Sequence, residues 1–123
     1  MKIINLADFQ ISNNNQLILI AGPCVIESEQ HSLMMAEKIT NICQKLKVKF
    51  IYKSSFDKAN RSSINSERGT SLNNGLHIFE KIKKEFHCPI ITDVHTEEQC
   101  NILANSDIID ILQIPAFLCR QTD

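Results

Sequence analysis

Four short apolar runs, each separated from the next by a longer amphipathic or polar stretch, restrict this chain more than any other feature. Leu17-Ile18-Leu19-Ile20-Ala21 is continuous and without alternation, and Val48 to Tyr52, Pro89-Ile90-Ile91-Thr92 and Ile108 to Ile114 follow as three further strands. Unbroken apolar runs of this length are the pattern of strands buried on both faces, as in a parallel sheet. Between them the period becomes helical. From Ser28 to Lys47, Met35, Ile39, Ile42, Cys43 and Leu46 fall on one face, with Glu37, Lys38, Gln44 and Lys45 largely opposite. Asn74 to Phe86 repeats the pattern with a stripe of Leu76, Phe79, Ile82 and Phe86. A third helix opens at Thr96, with Gln99 at capping-box spacing and Glu97 and Glu98 in the first turn. Strand and helix in alternation predict an α/β fold of parallel crossovers. Ahead of it, Met1 to Asn15 alternates weakly through Ile4, Leu6, Phe9 and Ile11, then reaches Ser12-Asn13-Asn14-Asn15. That predicts a hairpin of two short strands, a cap rather than a core element.

In parallel α/β folds chemistry collects beyond the carboxyl ends of the strands. The four strand ends here deliver Cys24 after Gly22-Pro23, the cationic block that begins at Lys53, Asp93 with His95, and Gln113 with the loop to Arg120. The block Tyr52-Lys53-Ser54-Ser55-Phe56-Asp57-Lys58-Ala59-Asn60-Arg61-Ser62-Ser63 holds three cations among four serines, an Asn and an Asp. Lys offers a point charge and Arg a two-pronged fork, so Lys53, Lys58 and Arg61 can neutralise a compact phosphate and a planar carboxylate together. The bland alternative is a solvated loop whose charges happen to cluster. A nucleotide cradle is excluded, because a chain with three glycines has no Gly-rich turn here. Ser63 to Asn74, with Arg68-Gly69, is too long and polar for a simple connector.

Asp93 and His95 can bind a metal, move a proton or hydrogen-bond the next loop; taken alone, His95 reads as a structural histidine. A carboxylate at the top of a buried strand needs a partner, which makes Asp93 harder to dismiss. A lone Cys24 is ordinarily a small buried hydrophobe, and as a thiolate it can ligate zinc, iron or manganese, though nothing adjacent in sequence supplies partners. Cys43 reads as core and Cys88 and Cys100 as structural, Cys119 stays open, and His31, His77 and His87 carry no spacing signal. Five cysteines without paired spacing read as reduced thiols of a cytoplasmic protein. A net charge of -1 argues against nucleic acid or an anionic membrane as partner.

Four strings in this order resemble 3-deoxy-D-manno-octulosonate 8-phosphate synthases: Ala21-Gly22-Pro23-Cys24-Val25-Ile26-Glu27-Ser28, the block Tyr52 to Ser63, Thr92-Asp93-Val94-His95, and Leu112-Gln113-Ile114-Pro115-Ala116-Phe117-Leu118-Cys119-Arg120-Gln121-Thr122-Asp123. The similarity spans the chain and is weakest over Met1 to Asn15. It implies a (β/α)8 barrel, usually tetrameric and cytoplasmic, that condenses phosphoenolpyruvate with arabinose 5-phosphate for lipopolysaccharide synthesis. It implies that Lys53, Ser55 and Lys58 line the phosphoenolpyruvate pocket. It further implies that Asn60, Arg61 and Ser62 hold arabinose 5-phosphate, that Asp93 and Gln113 stand at the reacting centre, and that Pro115, Ala116 and Phe117 form a pocket wall. Members with a Cys at the position of Cys24 use a divalent metal of the Zn, Fe or Mn type, which the resemblance extends to this sequence.

Such a barrel takes ~250 residues. Residues 1–123 therefore read as the N-terminal half of a single barrel domain, with 1–15 as its cap hairpin and four strands and three helices following. Alone, that half is expected to be inactive and to expose apolar sheet edges. Two other readings stand beside it. The related synthase of the aromatic pathway takes erythrose 4-phosphate and shares Gly-Pro-Cys, but typically carries a Lys-Pro-Arg-Thr string where this chain has Lys58-Ala59-Asn60-Arg61-Ser62. A half-barrel that binds anions without turnover is the other.

Overall fold

The computed structural model describes residues 2–6, 9–57 and 69–120. An antiparallel hairpin of β1 (Ile4–Leu6) and β2 (Phe9–Ile11) comes first, as the alternation of apolar residues predicts. β3 (Ile18–Ala21), β4 (Lys49–Lys53), β5 (Ile90–Asp93) and β6 (Ile111–Gln113) form one parallel sheet in sequence order. Three helices connect them: α1 (Glu29–Leu46), α2 (Leu72–Phe86) and α3 (Glu97–Ala104). A 3-10 turn over Ala116–Cys119 follows β6.

The helices start where side-chain oxygens can take their orphan amides. Ser28, Ser71 and Thr96 are the N-caps, accepting from His31 N at 3.1 Å, Asn74 N at 3.3 Å and Gln99 N at 3.2 Å. Gln99 reaches back past its own cap, and its Oε1 accepts from His95 N at 2.8 Å. The capping-box spacing thus becomes a clamp on the residue before the helix cap. α1 and α2 end on left-handed residues, Lys47 (φ 55°) and His87 (φ 53°).

The sheet has two differently used faces, because side chains alternate along each strand. On one face Phe50, Tyr52 and Ile90 pack against Ala36, Cys43, Ile78, Phe79, Ile82 and Leu103 from the helices. Tyr52 meets Phe50 and Phe79 edge-on, each with ring centroids 6.4 Å apart. Fully burying one such side chain is worth about 1.5–3 kcal/mol, so this layer supplies much of the drive to fold. On the other face the hairpin covers the amino ends of the strands, with Leu6, Phe9 and Ile11 packed on Ile18, Ile51, Ile91 and Ile111. Lys83 locks the same end of the sheet by bonding Asp110 at 2.6 Å and the Ile108 carbonyl at 2.9 Å, while Asp110 accepts from Ile90 N at 2.8 Å.

Burial on both faces holds for β4 and β5 but not for the outer strands. Leu17 is 80% exposed, Ile20 49% and Ile114 63%. Among the described residues each outer strand has one hydrogen-bonded neighbour instead of two, so the packing that continuous apolar runs imply is only half supplied. The last strand is also shorter than Ile108 to Ile114, since Ile108 and Ile109 pack into the helix-side core before pairing begins. The fully buried residues of α1 are the small Ser32, Ala36 and Cys43, with Leu33 and Ile39 packed partly buried against the same core. Small side chains let the helix lie close, which leaves Ile42 and Leu46 on its exposed flank, outside the stripe assigned to them from sequence.

Candidate active site

Period-two alternation carries Lys53, Asp93 and Gln113 to the carboxyl end of the hairpin-covered face, one layer above Ile51, Ile91 and Ile111. Asp93 pairs in register with Gln113, and Val94 N donates to the Gln113 carbonyl at 3.1 Å. Lys53 stands opposite Ile91 in the neighbouring pair of strands. Three residues expected at one site therefore share one face and one end of the sheet.

Asp93 is 8% exposed. Its Oδ2 lies 3.3 Å from His95 Nε2. Its Oδ1 and His95 Nδ1 are buried and have no hydrogen-bond partner among the described residues. His95 sits beyond the strand end, where the Gln99 bond to its amide holds it, and the Phe117 ring stacks on its imidazole at 6.4 Å and 30°. Phe117 is brought there by the 3-10 turn that starts directly after the buried Pro115, while Ala116 is exposed. The wall of Pro115, Ala116 and Phe117 therefore meets the Asp93 site through Phe117. His95, a structural residue on sequence grounds alone, belongs to this cluster. Its spacing of two from Asp93 was the available signal, weakened by the fact that the strand ends before it.

The Cys24 turn and the Lys53–Asp57 segment are laced together. Ser55 N donates to the Cys24 carbonyl at 3.2 Å, and Ile26 N donates to the Ser55 carbonyl at 2.9 Å. The Ser54 hydroxyl donates to the Pro23 carbonyl at 2.8 Å. All three glycines of the sequence abut this segment. A Cβ on Gly22 would stand 1.8 Å from the Lys53 carbonyl oxygen, and one on Gly69 (φ +115°) would stand 2.2 Å from the Phe56 carbonyl oxygen. The second of these backbone contacts is the return of the loop, where Thr70 N donates to Phe56 O at 2.7 Å. Ser55 is 6% exposed and Phe56 2%, so this part of the block is built into the fold and is not a solvated charge cluster. Lys58, Asn60, Arg61, Ser62 and Arg68 lie outside the described residues.

Cys24 is exposed in the turn after β3, on the same edge as Asp93 and Gln113, and forms no disulfide. Among the described residues no three His, Cys, Asp or Glu side chains group closely enough to hold a metal ion. A thiolate at that position suits a borderline-soft divalent metal, and Cys24 fits one ligand position of such a centre. The remaining cysteines follow their burial. Burial pushes the Cys88 thiol up to about 11 and raises that of Cys43, as expected of inert core thiols.

Comparison with known proteins gives one consistent picture. The model of the DAHP synthetase I family matches residues 1–123. A protein of Rickettsia typhi named 2-dehydro-3-deoxyphosphooctonate aldolase is 59% identical over 122 residues. Proteins of the same name from Rickettsia prowazekii and Rickettsia canadensis are each 57% identical over 122 residues. In each case the match covers 99% of this chain and 44% of the relative, so the chain spans less than half the length of these curated relatives.

Proposed function

We propose that this chain, which belongs to the DAHP synthetase I family, supplies the first half of a 3-deoxy-D-manno-octulosonate 8-phosphate synthase. The reaction joins phosphoenolpyruvate to arabinose 5-phosphate and releases phosphate. The observation that carries the reading is the shared edge: Lys53, Asp93 and Gln113 on one face of adjacent parallel strands, with Cys24 in the turn beside them. The name of the Rickettsia relatives supports the octulosonate product over other deoxy-sugar acids. Four more strand–helix units, from the length the relatives have beyond this match, would close the sheet into a (β/α)8 barrel.

In this reading Lys53 and Ser55 hold phosphoenolpyruvate, with Lys58, while Asn60, Arg61 and Ser62 hold the aldose phosphate. Asp93 presents Oδ1 to a substrate hydroxyl or to the attacking water, because Oδ2 is already engaged by His95. Gln113 lies across the register from it and orients the same atoms. Phe117, stacked on His95, keeps bulk water from that side. Such a site works by holding charge and geometry together as the enolpyruvate carbon meets the aldehyde. Cys24 is one ligand for a divalent metal whose other ligands come from outside the described residues; when bound, the metal supplies Lewis-acid polarisation.

The family description favours a second reading, condensation with erythrose 4-phosphate to the seven-carbon product. Phosphate release from phosphoenolpyruvate by the full-length protein, with manganese or zinc present, separates the two. Turnover with arabinose 5-phosphate and not with erythrose 4-phosphate is the expected result. Turnover with erythrose 4-phosphate alone would replace the first reading by the second.

A further inference from the structure

The ladder between β3 and β4 is interrupted just where the candidate site begins. Ala21 pairs with Tyr52, and the next bridge joins Val25 to Ser55. Between those pairs the β3 side advances four residues and the β4 side three, so Gly22, Pro23 and Cys24 face Lys53 and Ser54. One extra residue on one strand is a bulge, which breaks the ladder and re-aims the side chains beside it. Pro23 has no N–H with which to repair the gap. The side chain of Ser54 bonds across it instead, donating to the Pro23 carbonyl at 2.8 Å, and Ser55 N then takes the Cys24 carbonyl at 3.2 Å.

We propose that Ser54 is a positioning residue: its hydroxyl closes the bulge and so fixes the Cys24 thiol relative to the Lys53 ammonium and the Ser55 hydroxyl. Alternation turns Ser54 away from the face that carries Lys53, and it is 0% exposed, so it does not touch substrate. On the helix side the buried Tyr52 hydroxyl lies near the hydroxyls of Ser32 and Ser54 and has no hydrogen-bond partner among the described residues. Gly22 leaves no slack on the other side, since even a methyl there would overlap the Lys53 carbonyl. Side chain and bulge together make a rigid joint between the two segments that carry the candidate metal ligand and the candidate phosphoenolpyruvate cation.

The role in turnover rests on the function proposed above; the joint itself does not, and Ser54→Ala in the full-length protein tests them separately. Amide exchange reads the joint. The amides of Ser55 and Ile26 should exchange about tenfold faster, while those of Tyr52 and Ile90, bonded elsewhere in the same sheet, keep their rates. Unchanged rates at Ser55 and Ile26, or an equal rise at all four, would overturn the proposal, the latter by showing a general loss of stability. Kinetics read the consequence. Displacing one half of a two-part site should lower kcat about tenfold with both KM values within about twofold. A raised KM with kcat unchanged would assign Ser54 to binding and overturn the positioning role. If the wild-type protein turns over neither aldose phosphate, the proposed function fails, and the exchange pattern still decides the joint.

Discussion

His95 Nε2 stands 3.3 Å from Asp93 Oδ2, and the opposite atom of each group, Asp93 Oδ1 and His95 Nδ1, is buried without a partner among the described residues. A carboxylate held by one oxygen and offered by the other is suited to orient a hydroxyl or a water. Buried polar atoms left unmatched are costly in a folded protein and tend to mark places where a ligand completes the bonding.

Asp93→Asn keeps the shape of the side chain but removes its charge and makes half of it a donor. In the full-length protein, phosphate release should fall by at least about a hundredfold, the usual scale for losing one electrostatic contact in a closed site. Near-wild-type turnover would remove Asp93 from the reacting centre.

Gly22→Ala should be far more damaging than a surface change. Its methyl would stand 1.8 Å from the Lys53 carbonyl oxygen, a backbone atom that cannot swing aside. Forcing strand ends apart costs about 1–3 kcal/mol or more, read as a lower denaturant midpoint. A variant as stable as wild type would show that the two segments do not meet as described.

Arg61 belongs to the part of the cationic block outside the described residues, so its role rests on the family resemblance. Removing a charge-assisted hydrogen bond to phosphate costs about 1.5–3 kcal/mol. Arg61→Ala should therefore raise KM for arabinose 5-phosphate roughly tenfold to a hundredfold and leave that for phosphoenolpyruvate nearly unchanged. Equal effects on both substrates would refute the assignment.

The fold was legible because strand and helix periods differ and the punctuation was clean: Gly22-Pro23 after β3, and Ser28, Ser71 and Thr96 as caps. What sequence misjudged was neighbourhood. An apolar run says that a strand wants cover, not that cover is present, so Leu17 and Ile20 were placed inside and lie exposed. The stripe of α1 held at Ile39 and Cys43 and failed at Ile42 and Leu46, since the small Ser32 and Ala36 take the core-facing positions beside them. At the site, charged residues announced themselves. Ser54 did not, because its work depends on a one-residue mismatch between two strands that no local pattern reveals.

Those exposed edges carry a prediction for the 123-residue polypeptide by itself. β3 and β6 each offer an unpaired edge among the described residues, next to Leu17, Leu19, Ile20 and Ile114. Apolar edges of this kind recruit other strands. Sedimentation velocity should show species heavier than 14.0 kDa, reduced by Ile20→Lys, which puts a charge on that edge. A concentration-independent monomer would count against it.

Tyr52 gives the last test, because it is the single tyrosine of the sequence and there is no tryptophan. Burial pushes its phenol from 10.0 up to about 12, against the smaller lowering influence of the Ser32 and Ser54 hydroxyls. A raised value for an acid means that the fold holds the neutral form, while the unfolded chain ionises near its ordinary value. The stability this group contributes is therefore intact below about pH 10 and lost progressively between about pH 10 and 12, to a total on the order of 3 kcal/mol. Cys88, raised by burial to about 11, acts in the same direction. Tyrosinate absorbance of the 123-residue chain should rise only near pH 12 or together with alkaline unfolding, and Tyr52→Phe should abolish it. An ordinary titration near pH 10, with the fold intact by circular dichroism, would show that the phenol reaches solvent and that the packing of β4 against α1 is looser than described.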